Sequence, residues 1–204
     1  YFAKLLKEYS GSLFRADAQF RLCMALTLNG SYAVGKHFFI TLSNDEDSGF
    51  DEDEYARFMA LKYAQRPPNT DELALQQARN LYDGGYYEKA LAALAPLEAR
   101  RGELSPGLKA ELAYRKARIL HSQGKLPAAI VQYKECLKHS VGQEHSWLQA
   151  YSCYFMADIA HKQGDFANAK GEYQRALGYD DYFYQAGLEN RCKAALNKLR
   201  KDQG

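Results

Sequence analysis

No stretch of this 204-residue sequence approaches the apolar run that a membrane-spanning helix needs, so no membrane span is expected. An excess of one charge is missing as well. The 27 Lys and Arg residues stand against 25 Asp and Glu, a formal net charge of +2. So even a balance supplies no global field for nucleic acid or a membrane surface, and neither is expected as a partner. Paired cysteines are absent too. Cys23, Cys136, Cys153 and Cys192 lie far apart without a C-x-x-C, in apolar contexts such as RLCMAL and YSCYFM. They are expected to be small buried hydrophobes, not a disulfide framework or a zinc site.

Catalytic signatures are equally scarce. There is no Walker-type glycine loop, no dinucleotide fingerprint and no G-x-S-x-G elbow. None of His37, His121, His139, His145 and His161 falls in H-E-x-x-H or in a Cys/His pairing with metal spacing, although His139 and His145 flank one loop. No enzyme, cofactor or metal is therefore expected. The acidic run NDEDSGFDEDEY (44–55) carries seven carboxylates, and Gly49 falls sixth from Asn44 as a calcium loop requires. The twelfth position is Tyr55 rather than Glu, and Ser48 is a poor fifth ligand. Asp51 to Glu54 read instead as the first turn of a helix, where negative charge complements the helix dipole.

What is present is a loose repeat. GKLPAAIVQYKECL (124–137) and GDFANAKGEYQRAL (164–177) share Gly, Ala, Tyr and Leu at the same four places. With the leading glycine set at zero, Gly85 and Gly30 head two further copies. Five residues later come Gly35, Ala90, Ala129 and Ala169, all small; nine later come Phe39, Leu94, Tyr133 and Tyr173, all large. Seven before come Cys23, Ala78, Ala117 and Ala157, small again, and two after come Tyr32, Tyr87, Leu126 and Phe166. This pattern predicts antiparallel helix pairs. Glycine ends the first helix in the left-handed conformation. Small residues let the two backbones approach where they cross, and large ones fill the splayed end. Such a pair cannot bury its apolar face alone and needs a neighbour stacked upon it.

The A-x-x-x-aromatic spacing (Ala129 to Tyr133, Ala169 to Tyr173), the loop glycine and the upstream small residue resemble the tetratricopeptide repeat, a helix–turn–helix unit of about 34 residues. The resemblance implies an all-α, right-handed superhelical solenoid. It covers most of the chain as a single domain, 1–204, with repeats at about 12–43, 70–100, 105–139 and 145–178. The glycines lie 55, 39 and 40 residues apart, so each excess sits between repeats. Ser105 and Pro106 suit the start of a helix. DEDEYARFMALKYAQ (51–65), stopped by Pro67 and Pro68, reads as an inserted helix, and 183–201 as a C-terminal capping helix, apolar on one face and basic on the other. YFAKLLKEY reads as the second helix of a truncated preceding repeat, in a fragment or a processed product. The junction KEYSGSLFRADAQFRL is similar to those of bacterial envelope tetratricopeptide proteins, as in Bacteroidetes. That likeness leans toward an exported bacterial protein, and four unpaired cysteines lean back toward a reducing compartment.

In this architecture one face of every first helix lines a concave groove. Ten before the glycine come Phe20, Leu75, Tyr114 and Tyr154; six before come Met24, Arg79, Arg118 and Asp158; three before come Thr27, Tyr82, His121 and His161. Steps of four and three return to one helical side. The expected ligand groove is therefore Arg79, Tyr82, Tyr114, Arg118, His121, Tyr154, Asp158 and His161, with packing against the next repeat as the competing role. The chaperone carboxylate clamp of this family is not matched, because its first Lys and Asn fall on Leu75 and Arg79, or on Tyr114 and Arg118. A non-catalytic interaction scaffold for a peptide or partner helix is the expected function. The alternatives are a structural module that packs against missing repeats or self-associates through Phe2, Leu5 and Leu6, and a small-molecule or carbohydrate receptor.

Overall fold

The computed structural model describes residues 2–44, 49–142 and 147–202. Among them are eleven α-helices, one 3-10 turn (Arg101–Glu103) and no strand, an all-α, helical repeat-like architecture. In chain order the helices are α1 (Phe2–Glu8), α2 (Arg15–Leu28), α3 (Tyr32–Ser43), α4 (Asp51–Gln65), α5 (Thr70–Asp83), α6 (Tyr87–Ala99), α7 (Pro106–Ser122), α8 (Leu126–His139), α9 (Trp147–Lys162), α10 (Phe166–Leu177) and α11 (Gln185–Asp202). None of these is long and apolar enough to cross a membrane. Residues 45–48 of the acidic run, His145 and the Phe2 side chain lie outside the described residues. By contacts the chain divides into two compact units, Tyr1–Leu73 and Ala74–Gly204.

Each of the four loop glycines closes a helix in the same way. Gly30, Gly85, Gly124 and Gly164 have φ of 80°, 79°, 73° and 77°. Each glycine N–H donates to the carbonyl three residues back, and the next N–H donates to the carbonyl five back, as in Gly124 to His121 (2.9 Å) and Lys125 to Leu120 (2.9 Å). This Schellman arrangement satisfies carbonyls that the helix end would otherwise leave bare. Nothing lies within 4 Å of where a Cβ would sit at Gly124, so glycine is required there by φ and not by space. Pro106 opens α7 behind Ser105, whose hydroxyl accepts from the Leu108 N–H at 3.4 Å.

In the first unit, α2 and α3 pack as a hairpin and α4 packs against both. Phe20, Phe39 and Tyr63 meet at its centre, with ring centroids 5.7 to 6.4 Å apart. α4 thus supplies the neighbour that the lone hairpin needs to bury its apolar face. Two polar ties hold it there. The Tyr32 hydroxyl donates to the Tyr63 carbonyl at 2.8 Å, and buried Asp53 accepts from the Asp17 N–H at 3.0 Å, capping α2 from another helix. Of the acidic first turn of α4, at least Asp53 therefore works across helices, beyond its own helix dipole.

In the second unit, α7 pairs with α8 and α9 with α10, while α5 and α6 share one apolar cluster. The second helix of each pair meets the next first helix (α6 with α7, α8 with α9, α10 with α11), and α7, α9 and α11 touch in succession. The small residues Ala78, Ala90, Ala117, Ala129, Ala157 and Ala169 are fully buried at the crossings. Leu94, Tyr133 and Tyr173 fill the space beyond them. α11 buries Leu188, Cys192 and Leu199 and leaves Lys193, Lys198, Arg200 and Lys201 exposed.

All four cysteines are free and buried. Burial pushes the thiols of Cys23 and Cys153 up to about 12 and that of Cys192 up to about 11, and it raises Cys136 as well. Thiolate is the reactive form, so the native protein is expected to be inert to a disulfide reagent at pH about 8. All four thiols should react once the chain is unfolded in guanidinium. Rapid native labelling of any one of them would contradict the burial.

Glu72 joins α4 to α5 across Pro67 and Pro68. Asn69 and Glu72 form a capping box: the Asn69 side chain accepts from the Glu72 N–H (2.9 Å), and Glu72 accepts from the Asn69 N–H (2.9 Å). The same carboxylate takes a fork from Arg66 (2.7 and 2.8 Å) and an ion pair from Lys62 (2.6 Å). Burial pushes its pKa up, but the bonds from Arg66, Lys62 and Asn69 outweigh burial and hold it at about 2. A folded-state pKa below the unfolded one makes this contribution full above pH about 4.5, and it is lost as pH falls toward 2. With both cations well exposed, Glu72→Gln should cost on the order of 1–2 kcal/mol at neutral pH. It should also flatten the acid limb of a chemical-denaturation series below pH about 5. An unchanged acid limb would show that the network carries no net stability.

Candidate ligand-binding surface

The eight residues expected to line a groove all sit on α5, α7 and α9, and the structure links four of them to one another in two pairs. The link follows a rule. The residue six before one glycine reaches the residue three before the preceding glycine. Arg118 Nη2 donates to the Tyr82 hydroxyl at 2.8 Å, and Asp158 Oδ2 lies 4.0 Å from His121 Nε2. The last position is completed from α11, where Asp202 Oδ2 lies 3.0 Å from His161 Nε2. The Tyr82 hydroxyl is also 3.0 Å from Ser122 Oγ, and Asp158 accepts from Lys162 at 2.7 Å. These polar contacts form a ladder between successive first helices.

Aromatic rings back the ladder. The Arg118 guanidinium carbon lies 3.6 Å from the Phe155 ring centroid and 5.6 Å from that of Tyr82. His121 places its ring edge-on to Tyr133 and Phe155, with Nδ1 3.2 Å from the Tyr133 hydroxyl. His161 stands edge-on to Phe166 and Tyr173. Burial raises the pKa of Tyr133, so its hydroxyl stays neutral and is placed to bond to His121. Burial works against the Arg118 charge, and the surrounding phenols of Tyr114, Tyr133 and Tyr82 outweigh it. The guanidinium remains a cation at any working pH.

Three of the eight residues, Tyr114, Arg79 and Tyr154, stand apart from the ladder. Tyr114 is buried, with its ring edge-on to Trp147 at 4.9 Å, and serves packing. Arg79 faces Asp83 on its own helix at 3.9 Å. Tyr154, Asp158 and His161 line an open cleft of about 420 Å³ between α9, α10 and α11. Phe166 and Tyr173 form its aromatic wall, and Lys198, Asp202 and Ala195 come from α11. That volume lies within the range of small-ligand and side-chain pockets. Phe155, Trp147 and the α11 residues were not anticipated. The position nine before the glycine is Gln76, Arg115 or Phe155 and carries no repeat signal, while α11 lies outside the hairpins. No group of three or more His, Cys, Asp or Glu suited to a metal is found among the described residues.

With this geometry in hand, no family model, curated protein or solved structure matches the chain.

His121 offers a direct check of the ladder. Burial and then the Arg118 charge lower its pKa below the ordinary histidine value, against the opposing pull of Asp158. The unfolded state therefore binds a proton first. Stability is full above pH about 6.5 and falls as pH drops below it. Replacing His121 with Gln should flatten the change in denaturation midpoint between pH about 7 and 5. A native-like slope in this variant would assign the titration to another group.

Proposed function

We propose that the chain is a non-catalytic interaction scaffold that binds an extended peptide or a partner helix along the first-helix face. In this reading the all-α, repeat-like stack is a right-handed solenoid of the tetratricopeptide kind. The sequence motif and the pairwise packing of α5 to α10 support it. The observation that carries the proposal is the cleft between α9, α10 and α11, where three residues of the expected groove meet an aromatic wall and an exposed lysine. Polar and aromatic groups held by a ladder are already ordered before a ligand arrives, so little receptor entropy is lost on binding. Tyr and Arg are the residue types that concentrate binding energy at interfaces.

A second reading has one observation in its favour. Val34 and Phe38, four residues apart on one side of α3, are 52 and 44 % exposed, an apolar pair that suits self-association. Light scattering that finds only monomer at high concentration would count against it.

The test of the scaffold is selection of a displayed library of random peptides on the native chain and on an Ala195→Trp variant, both shown to be helical by circular dichroism. Tryptophan at Ala195 fills the cleft. The native chain should enrich peptides that the variant binds at least about tenfold more weakly. Equal binding by the two would remove the cleft from the site. No enrichment on the native chain would end the scaffold reading.

A further inference from the structure

The ladder contains a charge that the protein does not balance. On the helices around it, most cations have a carboxylate: Arg79 has Asp83, Arg115 has Glu111, Lys116 has Glu98 and Lys162 has Asp158, while exposed Lys109 takes the Gly102 carbonyl. Arg118 has none among the described residues. Its partners are the Tyr82 hydroxyl and the ring faces of Phe155 and Tyr82. These groups orient the guanidinium without neutralising it. A partly buried cation without a counter-ion is a costly arrangement, and one held this firmly is preorganised for an anion from outside.

We infer that Arg118 is a receptor for one carboxylate, the Asp or Glu side chain of a bound peptide, with Phe155 and Tyr82 fixing the plane of the fork. This inference rests on the scaffold reading and names the ligand chemistry of its surface. The planar guanidinium matches a carboxylate through two parallel N–H bonds, although one nitrogen already serves Tyr82. Arg118 remains partly exposed and so within reach of a ligand. Its surroundings favour a single negative charge. His121 adds no cation at neutral pH, and the Asp158 carboxylate is engaged by Lys162. A doubly charged phosphate would sit near Asp158 with only one guanidinium to balance it.

The experiment is the same random-peptide selection, run on the native chain, Arg118→Gln and Arg118→Lys. Native-selected peptides are expected to share an Asp or Glu at one position. Exchanging that residue for its amide should weaken binding at least about tenfold, and affinity should fall as salt rises from about 50 to 200 mM. Arg118→Gln should lose the acidic preference, while Arg118→Lys keeps part of it. The melting temperature of Arg118→Gln should hold or rise, because an unbalanced charge has been removed. Native-selected peptides with no shared acidic residue, or the same acidic preference on Arg118→Gln, would overturn the assignment and leave the scaffold reading standing. A preference for phosphorylated over carboxylate peptides would also overturn it. A marked fall in melting temperature together with salt-independent peptide binding would make Arg118 a packing residue. Failure of every peptide to bind would end the scaffold reading and this one with it.

Discussion

Everything else in each hairpin depends on how closely its two helices approach. An alanine pair at the crossing, such as Ala117 with Ala129 or Ala157 with Ala169, leaves no side-chain bulk between the backbones. The helices then splay on either side of the contact, and the volume that opens must be filled or it becomes a cavity. Tyr133 and Tyr173 fill it, each at 1 % exposure or less. The first hairpin uses the same logic with different residues. A Cβ on Gly35 would meet Thr27 Oγ1 at 3.0 Å and the Cys23 carbonyl at 3.1 Å, so even alanine there would push α2 and α3 apart by a few tenths of an ångström. The loop glycine sets where the turn falls, and the small residues set how near the returning helix can come.

That geometry also decides where polar groups can go. Once the crossing is apolar and tight, the side chains three and six before the glycine project toward the neighbouring first helix. Buried polar atoms there need partners, and the adjacent helix supplies some of them. Arg118 with Tyr82, and Asp158 with His121, are two chemically different answers to one spatial requirement. The array ends on a third, supplied by α11 rather than by another hairpin, with Asp202 on His161.

The readable part of this fold was the part written locally. Glycines at positive φ, small residues at the crossing and large residues beyond it follow from turn and packing chemistry within about 20 residues, and all appear where the sequence sets them. Three features escaped because their partners are distant or chemically unlike. Asp53 belongs to an acidic run that reads as a helix start, yet it caps α2 from 36 residues away. Glu72 looks like an ordinary N-terminal glutamate until Arg66 and Lys62 converge on it. α4 reads as an insertion between repeats but packs as the helix that closes the α2–α3 hairpin. For the candidate surface, the face was legible from steps of three and four, but not the ladder. Periodicity says which residues share a side, not which pairs bond, and Tyr114 shares that side while being buried.

One coupling does span the turn and is visible in retrospect. Where the residue three before the glycine is His, the large residue nine after it is Tyr, as in His121 with Tyr133 and His161 with Tyr173. Where the earlier residue is Thr27 or Tyr82, the later one is Phe39 or Leu94, with no hydroxyl. A buried phenol must find a partner for its hydroxyl, and an imidazole across the turn provides a nitrogen and a ring edge at the right depth. In the third hairpin the bond is made, His121 Nδ1 to the Tyr133 hydroxyl at 3.2 Å. In the fourth the rings meet edge-on at 6.3 Å, and the other side of His161 goes to Asp202. The large position is thus more than filler in the last two hairpins. In the third its hydroxyl joins the apolar core of α7 and α8 to the polar ladder through His121.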